Sequence, residues 1–151
     1  MKHIEGESRY QKTFLPDTLD DYVSPENSVR IIDAYVETLD FKALGFVTSD
    51  SETGRPSYNP KDMLKLYIYG YFNKVRSSRR LEAETTRNLE VKWLINKLSP
   101  DHKTIARFRH DNALALKNVF REFVKLCLKL RLYGRELDAI DGIPAPIERN
   151  G

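Results

Sequence analysis

The side chains best suited to chemistry lie in the segment 102–110. They are cationic or polar groups of the kinds that contact DNA: Lys103, Thr104, Arg107 and His110. At about 100° per residue of an α-helix, Lys103, Arg107 and His110 fall within about 60° of one another. Ile105 and Phe108 fall on the opposite side. This pattern predicts a helix with a basic edge that could enter the major groove, where Arg and Lys reach guanine edges or phosphates. A solvated amphipathic face is the alternative.

A second group of cations occupies the entry to another predicted helix. Its members are four basic side chains within seven residues: Lys74, Arg76, Arg79 and Arg80. Cations at a helix N-terminus oppose the helix dipole, so helix stability does not explain them. Backbone N–H groups at a helix start add attraction for phosphate. The cluster therefore indicates phosphate contact, with a solvated loop as the alternative.

The net charge of +3 hides a strong asymmetry along the chain. Residues 61–135 hold 18 Lys and Arg against 7 Asp and Glu, whereas residues 1–60 hold 6 against 11. A middle section this basic favours a polyanionic partner such as double-stranded DNA, although a merely solvated basic surface would share the pattern.

Metal and nucleophile motifs are largely missing from the sequence. Its three His and one Cys lack zinc-ligand spacing. Asp141 could end a short strand over residues 137–142, and a carboxylate at a strand end is a ligand type of two-metal phosphoryl-transfer sites. Such a site needs further carboxylates on the same ions. We therefore expect this chain to bind no cofactor by itself and not to cleave DNA.

The apolar periodicity predicts an all-α fold, a bundle of about six helices. Ser24 and Pro25 are expected to start the first helix, and Asn59 and Pro60 the second, whose body is apolar on nearly every side and is predicted to be the buried centre. The later helices are predicted to span residues 79–88, 89–98, 102–110 and 112–132. The pair 89–98 and 102–110 forms a plausible helix-turn-helix.

The two ends of the chain have a different character. Residues 1–23 are predicted to form an extended arm, pinned to the core by apolar side chains, namely Phe14, Leu15, Leu19, Tyr22 and Val23. Residues 136–151 contain the candidate strand, without a partner strand in this chain, and an irregular tail. The sequence offers no membrane span and no secretory signal. A lone Cys127 fits a reducing, cytoplasmic setting. A DNA-binding protein in that setting would be associated with the nucleoid.

Three segments carry a family resemblance in the order in which they occur: GRPSYNP (54–60), RSSRRLE (76–82) and PDHKTIARFR (100–109). With the flanking sequence they resemble the N-terminal domain of InsH-like bacterial insertion-sequence transposases, over residues 1 to about 142. In that family a helical domain binds the terminal inverted repeats of the element. A ribonuclease-H-like domain with an Asp-Asp-Glu triad then cuts and joins strands with Mg²⁺.

The resemblance implies a division of the chain and a role for one carboxylate. Residues 1–23 would be the arm, residues 24–135 the DNA-binding domain, and residues 136–151 the start of a truncated catalytic domain. Asp141, in the segment IDG, would be the first triad Asp and a metal ligand in a full-length enzyme. The match stops after Gly142, as expected of a truncation, a frameshift remnant or an isolated domain.

Two other functions share these features. The chain could be an interaction module that associates with itself or with full-length transposase and inhibits transposition. It could also be a free-standing DNA-binding regulator.

Overall fold

A computed structural model describes residues 3–47 and 57–130, and every regular element in this part of the chain is a helix, without strands. The predicted all-α bundle is confirmed. Its elements in chain order are a 3-10 helix Leu19–Tyr22, α1 Ser28–Glu37, α2 Phe41–Leu44, α3 Pro60–Phe72, α4 Ser78–Arg87, α5 Leu89–Leu94, α6 His102–Asp111 and α7 Ala113–Leu130. None of the described helices is long and apolar enough to cross a bilayer. The predicted strand and Asp141 lie outside the described residues.

Helix α3 is the centre of the bundle, as its all-round apolar sequence predicts. Every residue from Met63 to Gly70 is buried, and the helix packs on α1, α5 and α7. Asn59 caps it by accepting a hydrogen bond from the Lys61 N–H at 2.9 Å, and Pro60 occupies the first turn. The capping Asn and the apolar body together fix where this helix starts and what it touches.

A buried lysine ties α1 to α3. The Lys65 ammonium lies 2.8 Å from an Asp33 oxygen and 3.0 Å from a Glu37 oxygen. Burial alone would lower the pKa of Lys65, but the hydrogen bonds to the two carboxylates raise it above its ordinary value. The same contacts lower the pKa of Glu37, which also pairs with Lys61 at 3.1 Å. The charge is therefore tolerated in the core because two carboxylates meet it there.

Helix α1 begins three residues later than the sequence predicts. Asn27, not Ser24, is its cap, and the Asn27 side chain accepts a hydrogen bond from the Val29 N–H at 2.9 Å. Residues 24–27 form a turn, closed by the Asn27 N–H donating to the Ser24 carbonyl at 3.1 Å. Asn and Ser are about equally good caps, so the turn over residues 24–27, and not the type of the capping residue, sets where the helix starts.

Helix α5 is shorter than predicted, ending at Leu94 instead of residue 98. Asn96 and Lys97 adopt left-handed backbone angles, with φ of 54° and 64°, and the Lys97 N–H donates to the Lys92 carbonyl at 2.8 Å. This arrangement closes a helix. The apolar pattern continues past the helix because Ile95 remains buried in the loop, so periodicity alone overestimated its length.

The arm is attached differently from the prediction. Phe14, Leu15 and Tyr22 are exposed, Leu19 is half-buried, and Val23 alone of the five predicted anchors is buried. Polar contacts hold the base of the arm instead. An Asp20 carboxylate oxygen accepts from the Trp93 indole N–H at 2.9 Å and lies 2.8 Å from the Arg30 guanidinium. The arm is therefore fixed at the 3-10 helix, where a carboxylate meets two donors, and not along its apolar residues.

Candidate nucleic-acid interface

Helix α6 presents its basic edge to solvent. Lys103, Arg107 and His110 are exposed, whereas Ile105 is fully buried. Phe108 is half-buried, and its ring lies against the rings of Phe46 and Tyr67, with centroids 6.0 and 5.8 Å apart. The apolar side of α6 therefore anchors the helix while the cationic side stays outward, as the spacing predicts.

The start of α6 is fixed by a capping side chain. The Asp101 carboxylate accepts from the Thr104 N–H at 2.8 Å, and the pKa of Asp101 is lowered by this bond and by a second bond from the Thr104 hydroxyl. Thr104 is half-buried and committed to this cap. It is therefore a weaker candidate for DNA contact than its exposed neighbours.

The second cationic group surrounds the start of α4. Ser77 caps the helix by accepting from the Arg80 N–H at 3.2 Å, and Arg79 and Arg80 are exposed in the first turn. Lys74 precedes them in the α3–α4 loop, exposed and with a left-handed φ of 60°. Within the described part of the chain, no ion pair engages Arg79 or Arg80. Their charges are available to an outside anion.

Two sets of contacts join helices α4 and α6. Near one end, the Glu82 carboxylate accepts from the His102 backbone N–H at 2.6 Å and lies 2.9 Å from the His102 ring. In addition, the Thr85 and Ser99 hydroxyl oxygens lie 2.9 Å apart and share a hydrogen bond. Residue 82 thus lies by residue 102, and residue 85 by residue 99. Helices α4 and α6 are therefore antiparallel, and this arrangement directs the first turn of α4 toward the middle of α6.

This pairing differs from the predicted helix-turn-helix. The principal neighbours of α6 are α4 and α7, while α5 packs on α1, α3, α4 and the 3-10 helix. The early end of α5 explains the difference, because residues 95–101 form a connection too long for a tight turn. The predicted helix-turn-helix of 89–98 with 102–110 is therefore not confirmed, and α6 packs mainly on α4 and α7.

An open cleft of about 460 Å³ adjoins the cationic groups. Its floor is largely aromatic, with Tyr71 and Phe120 stacked at 4.6 Å between centroids. Three cations line it: Arg76 from the α3–α4 loop, Arg109 from α6 and Lys117 from α7. Neither Arg109 nor Lys117 is among the residues that the sequence predicts to contact DNA. The arginines at positions 107 and 109 could have suggested a role for Arg109. The place of Lys117 in the cleft becomes visible only from the way in which α3 crosses α7.

Two predicted site residues remain, His110 and Asp141. The exposed His110 ring lies 3.3 Å from the Asp111 carboxylate, which offsets part of the positive charge at the end of α6. Among residues 3–47 and 57–130, no three His, Cys, Asp or Glu side chains group in a way that could hold a metal ion. Asp141, the candidate catalytic and metal-binding residue, falls outside these ranges.

Comparison with known proteins places the chain in a family. No curated protein and no solved structure shows significant similarity to it. A family model described as transposase domain (DUF772) matches residues 17–111. That match runs from the base of the arm to the end of α6 and includes both cationic groups. Since it covers more than half of the sequence, the chain belongs to the transposase domain (DUF772) family.

Proposed function

We propose that this chain is a DNA-binding module that recognises the terminal inverted repeats of an insertion sequence, as in InsH-like transposases. The observation that supports this most is the packing of α4 on α6, both of which carry exposed cations, within a domain of the transposase family. The cations of α6 are suited to contact base edges, and those at the start of α4 are suited to contact the DNA phosphates.

Helix α6 has the dimensions and side chains for direct readout. Its ten residues span about 15 Å, and the major groove of B-DNA, roughly 12 Å wide, admits one helix. Arg107 and Lys103 are the side chains that would reach guanine O6 and N7. Because Ile105 and Phe108 lock the opposite side into the core, the basic edge is held in one orientation.

The start of α4 is suited to the phosphate backbone. Lys74, Arg79 and Arg80 are exposed around the start of α4, and contacts from such side chains to phosphates position a protein on the duplex without reading sequence. Each neutralised phosphate releases counterions, so binding should weaken steeply with salt. In this proposal the cations at the start of α4 contribute most of the affinity for DNA, and the basic edge of α6 contributes most of the sequence specificity.

Strand cleavage forms no part of this proposal. The resemblance assigns it to a triad with Mg²⁺ in a full-length enzyme, and Asp141 would be one of three required carboxylates. The described residues offer no such set.

A pair of double variants tests the division of labour. In Lys103→Ala/Arg107→Ala, affinity for the inverted repeat of a related element should fall by roughly tenfold or more and approach that for scrambled DNA. In Arg79→Ala/Arg80→Ala, affinity for both DNAs should fall together, and the salt slope should drop by about two. Arg121→Ala, on the exposed side of α7, is the matched control. Unchanged preference for the repeat in the α6 variant would contradict the assignment of α6.

A further inference from the structure

Three cationic side chains from separate elements converge on the cleft between α3, α6 and α7. Arg76 comes from the α3–α4 loop, Arg109 from α6 and Lys117 from α7, and all three are exposed. Among the described residues, no Asp or Glu lines the cleft, and none forms an ion pair with Arg109 or Lys117. Positive charge gathered without carboxylates to balance it attracts an anion.

The floor of the cleft is aromatic, which a site for phosphate alone does not need. The rings of Tyr71 and Phe120 are stacked with centroids 4.6 Å apart, and both side chains are half-buried. The Arg109 guanidinium lies 6.0 Å from the centroid of the Tyr67 ring. Grooves that combine cations with aromatic side chains hold unpaired nucleotides, because bases stack on the rings and phosphates meet the charges. The cleft volume of about 460 Å³ is in the range of sites that enclose small organic molecules.

The cleft opens on a different side of α6 from the basic edge that is proposed to read the duplex. Arg109 follows Arg107 by two residues and therefore lies about 160° around the helix from it. A duplex seated against Lys103 and Arg107 would thus leave the cleft uncovered. The two sides are separated by the width of one helix, roughly 10–12 Å. A strand that leaves the duplex would therefore reach the cleft within about four nucleotides, at roughly 3.4 Å each.

We propose that the cleft binds an unpaired stretch of one DNA strand, with a base packed on the aromatic floor and the flanking phosphates at the cationic rim. A duplex keeps its bases stacked inside and could offer the cleft only phosphates, whereas an unpaired strand offers both groups. This inference rests on the proposed function, because it extends the DNA contact from the duplex to a strand that leaves it.

The first test uses a single-stranded oligothymidylate that carries one 2-aminopurine, a base whose fluorescence falls when it stacks. The unmodified chain should bind this strand and quench the fluorescence. Arg109→Gln/Lys117→Gln should weaken binding by at least about fivefold and lower the salt slope by about 1.4, at roughly 0.7 for each phosphate contact. Lys42→Gln/Lys97→Gln, the matched control, removes the same charge at exposed positions outside the cleft and should leave affinity and slope unchanged.

Phe120→Leu separates stacking from charge. Leucine keeps the position apolar, so the helical circular dichroism should be retained. Quenching of 2-aminopurine should be lost, and affinity for the strand should fall by about fivefold or more with an unchanged salt slope. Binding that both cleft variants retain at full strength would place the strand elsewhere on the molecule and overturn the proposal.

Duplexes of the inverted repeat with a four-nucleotide overhang on either strand distinguish this proposal from the proposed function. At least one of them should bind the unmodified chain more tightly than the blunt duplex. Both cleft variants should lose that gain and still prefer the repeat over scrambled DNA. A chain that prefers the blunt repeat, gains nothing from an overhang and quenches no 2-aminopurine overturns the cleft proposal alone. Quenching that the cleft variants abolish, without any preference for the repeat, supports the cleft proposal and contradicts the proposed function.

Discussion

Lys74 has a backbone conformation that residues with a side chain rarely adopt. Its φ is 60°, and the neighbouring Val75 N–H donates to the Gly70 carbonyl at 2.7 Å, so Lys74 occupies the position where a helix commonly ends in glycine. A left-handed residue other than glycine costs roughly 1–2 kcal/mol. Such strain is often retained where the side chain serves a function. At Lys74 that function is phosphate contact under the proposed role.

Lys74→Gly should separate stability from DNA binding. Relief of the left-handed strain, less the greater freedom of glycine in the unfolded chain, should raise the free energy of unfolding by about 0.5–1 kcal/mol. Loss of the cation should weaken binding to any DNA and lower the salt slope by about one. Urea unfolding and anisotropy titrations measure the two effects.

Lys97→Gly is the matched control, because Lys97 has a similar φ of 64° but lies at the end of α5, outside the proposed interface. It should gain stability with an unchanged salt slope. Equal effects of the two variants on DNA binding would contradict the role given to Lys74.

The pairing of Glu37 with Lys65 makes stability depend on pH. Hydrogen bonds from Lys65 and Lys61 lower the pKa of Glu37 below its ordinary value of 4.5. A lowered folded-state pKa means stabilisation that is present above the unfolded-state pKa and lost as pH falls through the folded-state value. Glu37→Gln should therefore destabilise the protein at neutral pH and flatten the loss of stability below about pH 4.5.

Urea unfolding between neutral and acid pH measures this effect. Glu122→Gln, which removes an exposed carboxylate paired with Lys125 on α7, should leave the profile nearly unchanged. Parallel profiles for the unmodified chain and Glu37→Gln would show that the Lys65 contacts contribute nothing to acid stability.

At the scale of elements, Gly70 sets how closely α3 approaches the start of α4. A Cβ at this position would lie 2.6 Å from the Val75 carbonyl oxygen and 2.9 Å from a Leu81 methyl carbon. The Val75 oxygen belongs to the backbone and cannot move without shifting the loop that carries Lys74 and Arg76. Glycine is therefore required by close packing, despite its cost in a helix.

Gly70→Ala should lower the free energy of unfolding by about 1–3 kcal/mol, because overpacking outweighs the gain of roughly 1 kcal/mol in helix propensity. Thermal or urea unfolding measures this change. Gly6→Ala, where a Cβ would meet nothing within 4 Å, should have little effect. A stabilised Gly70→Ala variant would show that the α3–α4 contact is looser than described.

Some features of the helices could be predicted from the sequence, and others could not. Capping at Asn59 and Asp101, and the two faces of α6, follow from local rules that the structure obeys. The end of α5 could not be predicted in this way, because apolar residues occur on both sides of the left-handed residues Asn96 and Lys97. The α4–α6 pairing rests on contacts such as Glu82 with His102, which join residues 20 positions apart. The cleft needs the crossing of three helices, and no periodicity within one helix predicts it.

At the scale of the whole molecule, the fold converts a charge asymmetry along the chain into an arrangement in space. The described residues of the basic section, 61–130, form most of α3 and all of α4 to α7, and they include the exposed cations of α4 and α6. The acidic N-terminal section forms α1, α2 and an exposed arm, and supplies the carboxylates that meet Lys65. The exposed cations of α4 and α6 thus lie in the section to which the proposed function assigns DNA contact.

The most direct test of the DNA-binding proposal is a fluorescence-anisotropy titration of the full chain. It compares the inverted repeat from a related full-length element with a scrambled duplex of equal length and composition, at two salt concentrations. The account predicts tighter binding to the repeat at both concentrations, with affinity for both duplexes falling steeply as salt rises. Equal and weak binding to the two duplexes, abolished by salt, would contradict sequence recognition.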